Sequence, residues 1–244
     1  MVAVNEKISL LRTLLGSLVL IAGTLVVTGI VLIIYMKIQQ HFLSYQEYEA
    51  LALKPDFNGD FVTVAVITQF LVVVPLLMIV LRFNSTIDLI DFLKLTPPSG
   101  RDVALWLGVL VLLLILSTIL SGIVGRPVIP EFLIAAYGSA SSVLIFTVAI
   151  ALCAPVWEEL VFRGFLFSGL QSTILGTVGA AIITSALFAA IHTQYDLYIM
   201  VEIFIIGIVL CISRQQTGSL WVPVMLHSIN NLIAVIAVAN NAKL

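Results

Sequence analysis

Long apolar stretches that recur along the chain are the sequence feature that most constrains its fold. An α-helix needs about 20 apolar residues to cross the hydrocarbon core of a bilayer. Lipid offers no hydrogen-bond partners to the backbone, so a helix that crosses it must satisfy its own N–H and C=O groups. Seven stretches approach or exceed that length, and they lie at 14–36, 61–81, 103–124, 142–171, 177–192, 197–213 and 220–239. We therefore predict an all-α fold, a polytopic membrane bundle of about seven transmembrane helices, with six to eight as the range.

The composition excludes several classes of protein. Hydrophobic residues make up 61% of the 244 residues and charged residues 10%, whereas a soluble domain has roughly 25% charged residues. This composition excludes an ordinary soluble enzyme. It also excludes a disordered chain, because disorder requires low hydrophobicity and high charge. With 11 Lys and Arg against 13 Asp and Glu, the chain has no basic surface for nucleic acid. The lipid bilayer is its predicted surrounding.

The distribution of basic residues predicts the orientation, because cytoplasmic loops carry an excess of Lys and Arg. With the N-terminus inside, the inner loops hold Lys7, Arg12, Arg82, Lys94, Arg101 and Arg214, and the outer loops hold Lys37, Lys54, Arg126 and Lys243. This majority favours a cytoplasmic N-terminus. The short chain is typical of prokaryotes, so we predict an integral protein of a prokaryotic plasma membrane.

Ionisable side chains inside predicted spans point to function, since each costs at least roughly 2.5–3.5 kcal/mol to insert. The ionisable residues are Glu158, Glu159, Arg163, His192 and His227, and the amide of Asn231 lies four residues after His227. Glu159 and Arg163 are four residues apart on one helix face, in the order that favours an ion pair. Glu158 points to a different side without a local cation, so it is a candidate general base, with a hydrogen-bonded structural role as the alternative.

A second group of polar residues lies on the last span. His227 and Asn231 are four residues apart, so they project together from one helix. Taken alone, His227 is more typical of a hydrogen-bonded core residue, and the paired Asn231 favours a functional site. Helical rise places both groups at depths that allow one cavity shared with Glu158 and His192.

The order of these groups resembles the three motifs of a known family. Glu158-Glu159-x-x-x-Arg163, Phe188-x-x-x-His192 and His227-x-x-x-Asn231 are similar to those of the CPBP family, which groups type II CAAX prenyl endopeptidases with bacteriocin-processing and abortive-infection-type membrane proteins. The resemblance covers roughly residues 140–240. We accordingly divide the chain into N-terminal spans and loops, 1–139, and a catalytic membrane core, 140–244.

The resemblance implies an intramembrane endopeptidase. By analogy, Glu158 and His192 would activate a water molecule, and His227 with Asn231 would form an oxyanion hole. No cofactor is certain. Family members are often described as metalloproteases, and Glu158, His192 and His227 would supply an open zinc site with two histidines and one glutamate. The metal-free interpretation is slightly favoured.

Two further functions stay open beside the peptidase. A non-hydrolytic immunity or regulatory membrane protein would use the same fold to bind a partner. A small transporter is less favoured, because no repeat-related pair of broken helices occurs in the sequence. The expected substrate is a peptide or lipidated protein, either a prenylated CAAX protein or a leader, pheromone or bacteriocin-like peptide.

Overall fold

The structure, a computed structural model, describes residues 9–54, 57–82 and 88–241. Every regular element in these ranges is helical. The helices are α1 (Leu10–Phe42), α2 (Tyr45–Leu53), α3 (Gly59–Arg82), α4 (Leu89–Leu93), α5 (Gly100–Val124), α6 (Glu131–Ser139), α7 (Val143–Gln171), α8 (Gly176–Ala190), α9 (Leu197–Thr217) and α10 (Trp221–Asn241).

Six of these helices are long and apolar enough to cross a membrane, namely α1, α3, α5, α7, α9 and α10. They identify an integral membrane protein and agree with the predicted all-α bundle. The predicted span at 177–192 is shorter than expected. Its helix, α8, has 15 residues and is about 22 Å long, less than the hydrocarbon thickness.

The two ends of α8 lie towards opposite ends of the bundle. Ser168, near the end of α7, contacts Arg214 near the end of α9. Asp196, at the start of α9, forms an ion pair with Arg126 after α5. Helix α8 and the turn at 191–196 therefore carry the chain between these two levels, although the helix alone is short. In the segment 126–140, α6 has nine residues, too few to span.

Helix α7 is continuous but contains two π-helical segments, Ala149–Cys153 and Leu160–Leu166, on either side of the α-helical stretch Ala154–Glu159. Pro155 lies in the middle of this helix, where a proline cannot donate a backbone hydrogen bond and clashes with the preceding turn. The chain accommodates Pro155 by widening the preceding turn to the π register. Such segments occur frequently at functional sites.

Helix α7 lies at the centre of the bundle, in contact with α1, α3, α8, α9 and α10. Small residues permit its close approach to α1. A Cβ atom added to Gly169 would lie 2.3 Å from Thr13 Oγ1, and one added to Gly16 would lie 2.5 Å from Phe165 Cζ. This packing of small residues is typical of membrane helices, and it brings the N-terminal half of the chain against the charged segment of α7.

Candidate active site

Glu159 is the centre of a buried polar cluster. One of its carboxylate oxygens, Oε1, accepts hydrogen bonds from Arg163 Nη1 at 2.8 Å and from His227 Nδ1 at 2.9 Å. All three residues are buried. The helical spacing of four residues explains the contact with Arg163. The contact with His227 joins α7 to α10 and was not predicted from the sequence.

Arg163 is held on three sides. Besides Glu159, its Nη2 donates to the carbonyl of Gly207 on α9 at 3.2 Å, and its guanidinium lies 4.3 Å from the centre of the Phe188 ring on α8. The close approach is possible because residue 207 has no side chain: an added Cβ would lie 3.1 Å from Nη2. One arginine thus links α7, α8 and α9 around the carboxylate.

Glu158 differs from its neighbour because it lacks such partners. It is 7% exposed, and Oε2 has no hydrogen-bond partner among the described residues. The nearest cationic or basic atom is Nε2 of His227, 3.7 Å from Oε2, which is too long for a hydrogen bond. The carboxylate of Glu158 therefore lies beside the cluster, and its Oε2 forms no hydrogen bond with the residues of the cluster.

His227 lies between the two glutamates. Its Nδ1 faces Glu159 and its Nε2 faces Glu158. Because a carboxylate oxygen only accepts, Nδ1 carries the hydrogen in this contact. Orientation of an imidazole by a hydrogen bond from its other nitrogen is common at functional histidines. Glu159 therefore orients His227 as well as balancing Arg163.

His192 lies just beyond the end of α8, in the turn that leads to α9, and not inside the helix as predicted. Its Nδ1 is 2.7 Å from the carbonyl oxygen of Phe188. A carbonyl only accepts, so Nδ1 carries the hydrogen and Nε2 of the neutral ring has a lone pair available. His192 can therefore accept a hydrogen bond from water at Nε2.

The ring of Phe188 packs between the polar groups of the site. Its centre is 4.8 Å from the His192 ring and 5.7 Å from the His227 ring, both edge to face, and 5.3 Å from the Phe162 ring. Phe188 touches both histidines as well as Arg163, so it supplies a common apolar support for them.

Asn231 has a hydrogen-bond partner in the first π-helical segment of α7. Its Nδ2 donates to the carbonyl oxygen of Ile150 at 3.0 Å, and its Oδ1 lies 3.3 Å from Asn230 Nδ2. An amide nitrogen carries two hydrogens, so the contact with Ile150 uses one and leaves the other. His227 and Asn231 are one helical turn apart on α10.

A cavity of about 240 Å³ adjoins this cluster. Glu158 and His192 line it, together with Trp157 and Phe162 of α7 and a large apolar surface from α1 and α3. His227 and Asn231 are not among the described residues that line it. The contribution of α1 and α3 was missed because the N-terminal half of the sequence shows only generic spans, although a polar Gln69 within an apolar span was visible there.

The zinc alternative needs three ligands that converge on one ion. Among the described residues, no three His, Cys, Asp or Glu side chains are grouped closely enough to hold a metal. The arrangement described here does not fit a preformed zinc site made of Glu158, His192 and His227.

Part of the chain is similar to a known protein family. The family model described as type II CAAX prenyl endopeptidase Rce1-like matches residues 140–233. Residues 140–233 are therefore similar to the domain of that family. The matched segment runs from just before α7 into α10. It includes the six residues that the sequence predicted for the site, namely Glu158, Glu159, Arg163, His192, His227 and Asn231.

One curated protein is similar to part of this chain. A protein of Escherichia coli, named "Uncharacterized 24.3 kDa protein", is 36% identical over 91 residues. The match covers 36% of this chain and 42% of that relative, so the chain spans less than half of the length of the curated protein it matches. No solved structure matches the sequence.

Proposed function

We propose that the chain is an intramembrane endopeptidase that hydrolyses a peptide bond of a membrane-associated or lipidated protein or peptide. The observation that carries this proposal is the carboxylate of Glu158, which has an unpartnered oxygen beside a cavity that His192 also lines. A buried carboxylate next to an apolar cavity is suited to act as a general base on water. The family of residues 140–233 supports the same reaction.

In the proposed reaction, a water molecule donates its hydrogens to Glu158 and to Nε2 of His192. Glu158 takes a proton as the water oxygen attacks the carbonyl carbon of the substrate. The tetrahedral intermediate then collapses, the carbon–nitrogen bond breaks, and the proton on Glu158 passes to the departing amine. Water is consumed, and the products are a carboxylic acid and an amine.

His227 and Asn231 are proposed to stabilise the negative oxygen of the intermediate. His227 would donate from Nε2 to this oxygen, while its Nδ1 donates to Glu159. Asn231 would donate through the amide hydrogen that Ile150 does not use. An oxyanion donor is typically worth about 2.7–4 kcal/mol.

The deciding experiment compares purified wild-type protein with Glu158→Gln on a peptide panel that includes a farnesylated CAAX peptide and leader-type peptides. Glu202→Gln is a matched control, because Glu202 lies on α9 and accepts a hydrogen bond from Ser117 of α5. We expect a loss of about a hundredfold to ten-thousandfold in Glu158→Gln and near wild-type cleavage in Glu202→Gln.

The alternatives give different results. Equal cleavage by wild type and Glu158→Gln contradicts the mechanism. Cleavage that a chelator abolishes and zinc restores requires a metal site that forms on substrate binding. Absence of cleavage for every peptide, combined with retained binding of one of them, favours the non-hydrolytic immunity or regulatory function.

The proposed location is a prokaryotic plasma membrane with a cytoplasmic N-terminus. The turn between α7 and α8 would then face the cytoplasm, and the segment between α5 and α6 the outside. Ile174 and Val128 are exposed in these two segments. On a background without the native cysteines, we expect a membrane-impermeant thiol reagent to label Val128→Cys but not Ile174→Cys in intact cells. The reverse pattern contradicts this orientation.

A further inference from the structure

A row of aromatic rings leads from α6 to the candidate active site. The ring of Tyr195 lies nearly parallel to that of His192, with an angle of 16° and 6.1 Å between centres. Tyr195 also contacts the Phe132 ring edge to face, with 5.4 Å between the ring centres and an angle of 87° between the ring planes. Phe132 in turn packs edge to face against Phe57 at 6.2 Å. Tyr195 therefore lies between α6 and the catalytic histidine.

The position of His192 explains why such a support matters. His192 follows the last residue of α8, so the regular helix backbone no longer fixes its side chain. The hydrogen bond from Nδ1 to Phe188 restrains one edge of the imidazole, but it leaves the tilt of the ring free. The edge of Phe188 and the face of Tyr195 restrict that tilt, and the backbone N–H of Tyr195 closes the turn by donating to the carbonyl of His192 at 3.1 Å.

We infer that Tyr195 is a positioning residue that holds the imidazole of His192 with Nε2 directed to the cavity, and that its aromatic ring performs this role. The inference rests on the proposed function for its effect on catalysis. Its support comes from the N-terminal segment 1–139, because Phe132 lies on α6, outside the segment that matches the family. The segment 1–139 would thus determine the geometry of a residue in the segment 140–244.

The test compares three variants in the full-length protein. Tyr195→Phe keeps the ring and removes the hydroxyl, and Tyr195→Leu removes the ring. Tyr137→Leu is the matched control, since Tyr137 packs edge to face on Phe146 at 6.3 Å and has no ring contact with either histidine of the site. Protein labelled with ¹⁵N-histidine has three histidines, so the His192 nitrogen signals can be assigned by substitution and followed in each variant.

We expect Tyr195→Leu to shift the His192 nitrogen signals and to lower kcat about fivefold with little change in KM. Tyr195→Phe should restore both readouts, and Tyr137→Leu should change neither. Equal effects of Tyr195→Leu and Tyr137→Leu overturn the inference, as do unchanged His192 signals in Tyr195→Leu. An equal loss in Tyr195→Phe assigns the role to the hydroxyl and also overturns it.

The nitrogen signals separate this inference from the proposed function. If the wild-type protein cleaves no peptide, the peptidase proposal fails, while the His192 signals still decide whether Tyr195 orients the ring. If Tyr195→Leu does not fold, Phe132→Leu is used in its place, because it removes the ring behind Tyr195. A shift of the His192 signals in that variant supports the inference, and no shift contradicts it.

Discussion

The side-chain amide of Asn231 on α10 donates a hydrogen bond of 3.0 Å to the backbone carbonyl of Ile150 on α7. This carbonyl is free for a local reason. In the π segment the N–H of Ala154 donates to the carbonyl of Ala149, so the next residue, Pro155, would donate to Ile150. Pro155 has no N–H. The proline therefore leaves a backbone acceptor for Asn231 and links the shape of α7 to the orientation of a candidate oxyanion donor.

Pro155→Ala should separate activity from stability. The new N–H can pair with Ile150 and release Asn231, so we expect cleavage to fall, by less than the roughly hundredfold loss from deleting an oxyanion donor. Stability should rise by up to about 3 kcal/mol, because a proline inside a helix is unfavourable. Peptide cleavage and thermal unfolding in detergent measure the two effects.

The matched control for this experiment is Pro223→Ala. Pro223 lies in the first turn of α10, where a proline is tolerated because the N–H has no partner in the helix. We expect nearly unchanged cleavage in this variant. A loss of cleavage equal to that of Pro155→Ala would show that the effect does not come from the Ile150 carbonyl.

The two adjacent glutamates should differ in their effect on stability. Glu159→Gln leaves Arg163 as a buried charge without its counter-ion, so we expect a destabilisation of about 3–5 kcal/mol. Glu158→Gln should change stability by less than about 1 kcal/mol, because Oε2 of Glu158 has no hydrogen-bond partner among the described residues. Unfolding midpoints in one detergent measure both, and equal midpoints would contradict the division of roles.

Gly207 on α9 should not tolerate even a methyl group. An added Cβ would lie 2.9 Å from Ser185 Cβ and 3.1 Å from Arg163 Nη2, so we expect Gly207→Ala to destabilise the protein by about 1–3 kcal/mol. Gly122→Ala is the control, because an added Cβ on α5 has no neighbour within 4 Å. There, the better helix propensity of alanine should stabilise slightly. Thermal unfolding distinguishes the two, and a stable Gly207→Ala variant contradicts the packing.

Helix α2, outside the spans, should lose protection in acid. The hydroxyl and the N–H of Ser44 donate to Glu47 Oε2 at 2.6 and 2.9 Å, and these hydrogen bonds hold the pKa of Glu47 below its ordinary value. A lowered pKa stabilises the capped form above the unfolded pKa, and this stabilisation is lost as the pH falls through the folded pKa. Amide hydrogen exchange of α2, corrected for intrinsic rates, should show this loss. Ser44→Ala should reduce the pH dependence, because it removes the hydroxyl that donates to Glu47 and keeps the N–H.

Spacing along the sequence predicted contacts within one helix of the site but not contacts between helices. Residues four apart on a helix meet, and Glu159 and Arg163 are 2.8 Å apart. The same argument assigned Glu159 only to Arg163, because a contact with His227 crosses 68 positions of sequence and depends on how two helices pack. Arg214 was expected in an interfacial loop, but it is buried in the last turn of α9, where its Nη2 donates to the carbonyl of Phe92 at 3.3 Å.

The sequence by itself determined the membrane bundle, the approximate spans and the set of ionisable residues, because burial of apolar helices in lipid and the cost of charges there depend on residue type and length alone. Tertiary structure decided which nitrogen of His227 meets which glutamate, where the cavity lies, and that α1, α3 and Phe132 of α6 reach the site. These features depend on the rotation and approach of neighbouring helices. That approach is set by packing at positions such as Gly169 and Gly207, which no periodicity along a single helix can encode.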